Sequence, residues 1–242
     1  MLDPFEETER IRKIVCKNKQ KKYYRFRAGL FYGGIASADC VGCILDCAYC
    51  WSQKPRKNPE KIGKFYSPEE VASRLIGIAR KKRYRQVRIS GNEPILCKGH
   101  LIEVISLIPK DLTFILETNG ILIDENFVRE LSKFKNLHVR VSLKGSNEKM
   151  FSLVTDAEPR FFRFQLEALK NLVDNKVSCN PAIMVDLYSK EDLQEIEQKL
   201  YSIHPSLEEN LEQESLMMYP FVRENLEKRG IKIKGGYYAE QD

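Results

Sequence analysis

Four of the seven cysteines in this 242-residue chain crowd into eleven positions: Cys40, Cys43, Cys47 and Cys50. A thiolate is both a nucleophile and a soft metal ligand, so this crowding speaks for metal or redox chemistry. A disulfide framework is not expected. The cysteine number is odd, and the opening Met1-Leu2-Asp3-Pro4-Phe5-Glu6-Glu7 lacks the basic and apolar regions of a secretory signal. From Cys43 to Cys50 the pattern is C-x3-C-x2-C, with Cys40 three residues upstream. A zinc ribbon sets its two C-x2-C pairs on separate knuckles, and here only three residues divide them. The bacterial ferredoxin run has a different order. Two readings stay open: a four-thiolate electron-transfer cluster using Cys40, and a [4Fe–4S] cluster on three thiolates with one iron free for another ligand.

The elements that must position these cysteines alternate in type. Tyr23 to Tyr32 is rich in aromatics and reads as a strand running into Gly33-Gly34, and the loop beyond it holds the cysteines and continues through Lys64. Ser67-Pro68-Glu69-Glu70 reads as a capped helix start, followed by a stripe of Val71, Leu75, Ile76 and Ala79. Strands are expected at Gln86–Ser90, Leu112–Glu117, Leu137–Leu143, Val177–Val185 and Leu216–Tyr219. Helices are expected at Leu101–Ile108, Asp124–Phe134, Pro159–Val173, Ser189–Ile203 and Arg223–Arg229.

This alternation, with near-continuous apolar strands such as Phe114-Ile115-Leu116, predicts an α/β fold. Six units fall short of the eight of a closed barrel, so the expectation is a partial (β/α)6 TIM-like barrel, a parallel sheet covered by helices. Residues 1–22 form a basic leader in this reading, and 23–242 a single domain with an acidic C-terminal segment. Right-handed crossovers would bring Gly33, Ser90-Gly91-Asn92-Glu93, Glu117-Thr118-Asn119 and Ser142-Leu143-Lys144 to one rim, where ligands bind in such folds.

With those residues in view, Cys43-x3-Cys47-x2-Cys50 with Tyr49 before the last cysteine resembles the signature of the radical S-adenosylmethionine superfamily. Ser90-Gly91-Asn92-Glu93-Pro94 resembles that family's G-G-E-P motif, with Asn92 in place of the second glycine. In size, and in Glu117-Thr118-Asn119-Gly120 and Ser142-Leu143-Lys144, the chain is similar to the pyruvate formate-lyase activating enzymes. The resemblance spans roughly Phe26 to Tyr219. It implies an oxidoreductase with one iron–sulfur cluster on Cys43, Cys47 and Cys50, and S-adenosyl-L-methionine held by the open iron. Reductive cleavage of the ligand would give methionine and a 5′-deoxyadenosyl radical that abstracts hydrogen.

On the same resemblance, Glu93 meets the ligand's amino group, with Gly91, which allows close backbone approach, and Asn92 beside it among the ligand-binding residues. Lys144 and Ser142, two apart on one strand face, meet its carboxylate. Thr118 or Asn119 meets the ribose. Tyr49 shields the cluster or flanks adenine, and Trp51, the only tryptophan, covers the cluster from water. Cys97 is read as an inert core thiol or a cavity-facing hydrogen donor; Cys16 stays unassigned. No residue is singled out for the chemistry on the substrate. An external low-potential electron donor is implied, while the substrate, a small molecule or a protein glycine, stays unidentified.

Composition narrows the setting. The hydrophobic fraction of 43% suffices for a real core, and no apolar run approaches the ~18 residues of a membrane span, so a cytoplasmic protein is expected. The net charge of +6 is unevenly placed: nine Lys/Arg and no acid from Arg10 to Arg27, six and none from Arg80 to Arg88. With Tyr23, Tyr24 and Phe26 interleaved, that permits an alternative substrate, RNA, for the same chemistry. A second alternative is a non-catalytic electron-transfer protein with Cys40 as fourth ligand.

Overall fold

The computed structural model describes residues 1–233 and the backbone of 237–238. In chain order the elements are α1 (Pro4–Val15), β1 (Cys16–Lys17), β2 (Gln20–Gly29), β3 (Ile35–Cys40), α2 (Gln53–Lys57), β4 (Lys64–Tyr66), α3 (Pro68–Lys82), β5 (Gln86–Gly91), α4 (Lys98–Leu107) and β6 (Thr113–Thr118). Then follow α5 (Glu125–Leu131), β7 (Leu137–Leu143), α6 (Glu148–Thr155), α7 (Phe162–Asp174), β8 (Cys179–Met184), α8 (Lys190–Ile203), α9 (Pro205–Glu209), β9 (Glu212–Glu214), β10 (Met217–Met218), α10 (Pro220–Lys228) and β11 (Tyr237–Tyr238). No helix among the described residues is long and apolar enough to cross a membrane.

The main sheet runs β1-β2-β3-β5-β6-β7-β8-β9. From β3 onward every neighbouring pair is parallel, so six parallel strands follow one another in chain order with helices between them. This is the partial (β/α)6 barrel expected, with two of its strands relocated. The aromatic-rich segment is β2, which lies antiparallel to β3 and outside the parallel set. The first parallel strand is Ile35–Cys40, inside the stretch read as loop. Gly33 therefore precedes a parallel strand and lies at the opposite end from the rim. The sixth strand is Glu212–Glu214; Met217–Met218 pairs with Tyr237–Tyr238 in a separate two-stranded sheet.

Strand period two separates the sheet's faces. Ala36, Ala38, Val87, Ile89, Phe114, Leu116, Val139 and Val141 lie on the helix side and are wholly buried. There α3 lays down Val71, Leu75 and Ala79, and α7 lays down Ala168, Leu169 and Leu172. Local signals start α3 where the sequence expects: Ser67 closes a capping box with Glu70, and Pro68 stands at the first helical position.

The opposite, concave face is polar. Arg88 Nε donates to Ser37 Oγ at 2.8 Å and its Nη1 to Glu117 at 2.6 Å. Arg140 Nε meets Glu212 at 2.7 Å and its Nη2 lies 2.8 Å from Glu214. Closed barrels fill this space with Val, Ile and Leu. Here buried ion pairs occupy it, an arrangement that costs desolvation and does not by itself favour folding. Tyr32, held at φ 53°, donates its hydroxyl to Glu212 at 2.8 Å, so a residue before the first parallel strand reaches the last one and the sheet curls on itself.

The first 22 residues are part of this architecture. Asp3 caps α1 through the Phe5 and Glu6 N–H groups, and α1 buries Ile11 and Val15. Lys21, Lys22 and Tyr23 are buried as well. Cys16 and Cys97 form a disulfide, with Cα atoms 6.0 Å apart, so Cys97 is neither the free core thiol nor the cavity-facing donor expected of it. The end of the acidic C-terminal segment, expected to reach residue 242, lies outside the described residues.

Candidate functional site

The segment after β3 is anchored at several points before it presents its cysteines. Val41 N–H donates to Lys22 O at 3.0 Å, Asp46 N–H to Thr155 O at 3.0 Å and Ala48 N–H to Val154 O at 2.8 Å. Ile44 and Leu45 are buried in the core. Gly42 sits at φ +95°, and a Cβ there would lie 2.8 Å from the Ile11 side chain, so glycine lets α1 pack on the loop. Asn92 ties the loop to the end of β5: its Oδ1 accepts from Gly42 N–H at 3.1 Å and its Nδ2 donates to Ser52 O at 3.3 Å.

Cys43, Cys47 and Cys50 line one cavity of about 150 Å³, together with Tyr49, Trp51, Gly91, Asn92, Glu93, Thr118, Asn119, Ser142 and Lys144. Every residue the sequence assigned to cluster or ligand is there. Cys40 is not. It is wholly buried, and as the neighbour of concave-facing Asp39 it points to the helix side of β3. A larger cavity of about 400 Å³, around Cys16, Cys97 and His100, gathers none of the expected ligand residues.

Burial pushes the Cys43 and Cys47 thiols up and the Cys50 thiol to about 12, while the cations of Lys144 and Arg56 pull against it at Cys47 and Cys50. Protonated thiols without a metal are the consequence, and metal loading must displace their protons. Among the described residues no three His, Cys, Asp or Glu side chains converge as a single metal ion requires. Three thiols lining one cavity are the soft donors that an iron–sulfur group takes, so the chemistry of the donor set fits a [4Fe–4S] cluster.

Glu93 is the centre of the second half of the site. It is 2% exposed, and burial raises its pKa against the hydrogen bonds that favour its ionised form. Oε1 accepts from the Thr118 hydroxyl at 2.7 Å and from Ile95 N–H at 3.1 Å, and Oε2 from Asn119 N–H at 2.9 Å. Two carboxylate oxygens accept about four bonds, so one position is left for a ligand's ammonium. Buried Lys21 donates to the backbone carbonyl of Glu93 at 3.2 Å. Thr118 also accepts from Gly120 N–H, which makes it a support for Glu93 and leaves Asn119 for a ribose contact. Asn119 Nδ2 is buried with no hydrogen-bond partner among the described residues, an orphan donor of the kind a ligand oxygen satisfies.

Lys144 Nζ lies 2.7 Å from Ser142 Oγ and 5.3 Å from the Tyr49 ring centroid. Trp51 is 43% exposed rather than a closed cover, with Arg25 and Arg27 at 5.7 and 5.9 Å from its ring.

Two supports, Gln165 and Arg140, escaped the sequence reading. Gln165 of α7 is wholly buried, donates to Asn119 O at 2.5 Å and Ser142 O at 3.2 Å, and accepts from Lys144 N–H, joining the ends of β6 and β7. Glu117 and Arg140 also line the cavity. Glu117 was already expected on the rim; a charged residue inside an apolar strand was the available signal for Arg140, and a glutamine on the buried stripe of a helix for Gln165.

Comparison with known proteins bears on the family and the fold. The family model of the Radical SAM superfamily matches residues 39–200, about two thirds of the chain. The GTP 3′,8-cyclase of Heliobacterium modesticaldum (strain ATCC 51547 / Ice1) is 33% identical over 119 residues, 47% of this chain and 34% of that protein. Among solved structures, Streptococcus suis SuiB bound to the precursor peptide SuiA superposes with a TM-score of 0.56 at 19% identity, over 70% of this chain and 36% of that one. Native anSMEcpe with bound AdoMet and Cp18Cys peptide gives 0.55 at 20% identity, over 77% of this chain and 50% of that one. Both structural likenesses concern the fold. The chain spans about a third to a half of the length of these relatives.

Proposed function

This chain belongs to the radical SAM superfamily, and we propose that it is an enzyme holding a [4Fe–4S] cluster on Cys43, Cys47 and Cys50 with S-adenosylmethionine beside it, for hydrogen abstraction from a substrate. The carrying observation is the convergence of three thiols, Glu93, Asn119, Ser142 and Lys144 on one cavity at the strand C-terminal ends. When bound, the two cofactors supply one-electron cleavage of the sulfonium C–S bond and so the 5′-deoxyadenosyl radical; the electron comes from an external low-potential donor.

The chain's own residues orient and exclude. Glu93 takes the ligand ammonium on its remaining acceptor position, held in place by Thr118 and Asn119. Lys144, aligned by Ser142 and Gln165, takes the carboxylate. Gly91 and Asn92 set the strand end against the cluster loop, and Asn119 Nδ2 takes a ribose oxygen. Tyr49, 8% exposed, walls the cavity beside Lys144. Below the rim, Arg88–Glu117 and Arg140 with Glu212 and Glu214 offer a substrate a charged, hydrogen-bonding floor, which favours a polar group over an aliphatic one. A polar small molecule or the backbone of a protein glycine fits that description. The helix-side orientation of Cys40 supports three thiolates over a four-thiolate electron carrier. The burial of Tyr23 removes one of the aromatics that an RNA substrate was expected to stack upon.

The test is anaerobic incubation of the reconstituted protein with S-adenosylmethionine and dithionite. Formation of 5′-deoxyadenosine and methionine in equal amounts, lost in Cys47→Ala, is the expected result. A loaded cluster that leaves the ligand intact would overturn the proposal.

A further inference from the structure

The Cys16–Cys97 disulfide lies in the wall of the cavity of about 400 Å³ that the cysteine site does not use. Both of its cysteines sit at joints of the ligand site. Cys97 closes the short helical turn Pro94–Cys97 that starts at Glu93, and Cys16 lies in β1 opposite Lys21 of β2. Buried Lys21 Nζ in turn donates to Glu93 O at 3.2 Å and to Val41 O at 3.5 Å. One hairpin thus holds the Glu93 turn at both ends, by a hydrogen bond at its start and a covalent bond at its close. The two sulfurs differ in setting. Cys97 is buried and stands at the N-cap of α4, where the helix dipole favours a thiolate. Cys16 is half-buried and stands at the C-cap of α1, where the dipole does not.

We propose that this disulfide exchanges with a low-molecular-weight thiol, and that its state sets the grip of the Glu93 turn on S-adenosylmethionine. The second half rests on the function proposed above; the first does not. A thiolate of the small molecule attacks Cys16 Sγ, the more exposed sulfur, and the Cys16–Cys97 bond breaks. Cys97 leaves as a thiolate at the head of α4 and takes up a proton. A second small thiolate attacks the small molecule's sulfur in the mixed disulfide, and Cys16 leaves in its turn and is protonated. Two small thiols are oxidised to one small disulfide, and the protein pair gains two electrons; the small disulfide drives the reverse. The sulfurs line a cavity rather than stand on an open face, which suits a small thiol over another protein's. Without the bond the turn keeps Lys21 alone, and the ligand meets a looser Glu93. By linkage, a ligand that prefers the disulfide form protects the disulfide from reduction by the same factor.

The experiment places the anaerobically reconstituted protein in graded buffers of reduced and oxidised glutathione, with alkylation and peptide mapping to count free Cys16 and Cys97. Equilibrium dialysis measures S-adenosylmethionine binding to each form, and hydrogen exchange of the peptide over residues 93–97 reads the turn without the ligand. The pair is expected to pass from disulfide to dithiol across these buffers. In the dithiol form ligand binding weakens about fivefold and hydrogen exchange over 93–97 quickens. Added S-adenosylmethionine lowers the pair's midpoint by about 20 mV, the same fivefold for a two-electron couple. Cys97→Ser, which cannot close the bond, keeps a glutathione adduct on Cys16 and binds the ligand as the dithiol form does in every buffer. A pair that stays oxidised throughout, stays reduced throughout or yields only to a protein dithiol overturns the exchange site. Equal ligand affinity of the two forms overturns the coupling. Should Cys97→Ser fail to fold, the wild-type titration decides alone. A wild type that binds no ligand in either form refutes the proposed function; hydrogen exchange over 93–97 that is the same in both forms then overturns the coupling as well, and faster exchange in the dithiol form supports the disulfide's hold on the turn.

Discussion

The Glu93 carboxylate at the end of β5 accepts the backbone N–H of Asn119, beyond the end of β6, at 2.9 Å. This bond crosses 26 residues of sequence and locks two strand ends into one ligand surface. Because the carboxylate is buried, its remaining acceptor position is directional and dry. Glu93→Gln keeps an oxygen for the Asn119 N–H and loses the charge that the ligand ammonium needs. We expect S-adenosylmethionine binding to weaken at least about tenfold, or about 1.4 kcal/mol, with the cluster still loaded. Equilibrium dialysis on the reconstituted variant measures this; unchanged binding would remove Glu93 from the site.

Gly91 makes that strand end possible. It stands at φ +95°, and a Cβ there would lie 3.0 Å from both the backbone nitrogen and the oxygen of Cys40. Gly91→Ala therefore strains the backbone and pushes β5 from β3 beneath the cluster loop. A loss of about 1–3 kcal/mol in chemical denaturation is expected, together with weaker ligand binding. Wild-type stability in the variant would contradict the close approach.

A pH effect follows from His100 in α4. Burial lowers its pKa from 6.5 to about 4, and its ring is bonded to the Tyr23 hydroxyl at 2.9 Å and Lys19 O at 2.8 Å. The unfolded chain protonates first as pH falls, so the stability held by the neutral ring is complete above pH 6.5 and drains away between 6.5 and 4. The loss is about 3 kcal/mol. Unfolding curves for wild type and His100→Gln across that range should converge as pH drops; parallel curves would sink the assignment.

Much of this architecture was visible in the residues. The β7 boundaries, Leu137 to Leu143, follow from an apolar run between turn signals, and the Ser67 capping box starts α3 where it was read. The two relocated strands share a cause. Ile35-Ala36-Ser37-Ala38-Asp39-Cys40 puts small residues against the helices and polar ones into the lumen, and Glu212-Gln213-Glu214 is wholly polar. Strand propensity reports packing on a half-buried surface, so neither segment advertises itself, while aromatic β2 does. In the site, Cys43, Cys47, Cys50 and Glu93 were legible because their chemistry is carried by type and spacing. Gln165 and Arg140 were not, since their roles arise from elements far apart in sequence.

The central claim is an iron left open by three thiolates and taken by S-adenosylmethionine. Electron paramagnetic resonance of the anaerobically reconstituted, dithionite-reduced protein, with and without the ligand, tests it directly. The account predicts a clear change in the cluster signal on adding S-adenosylmethionine, kept in Cys40→Ala and abolished in Cys47→Ala. An unchanged signal from a fully assembled cluster would mean four protein ligands and would contradict it.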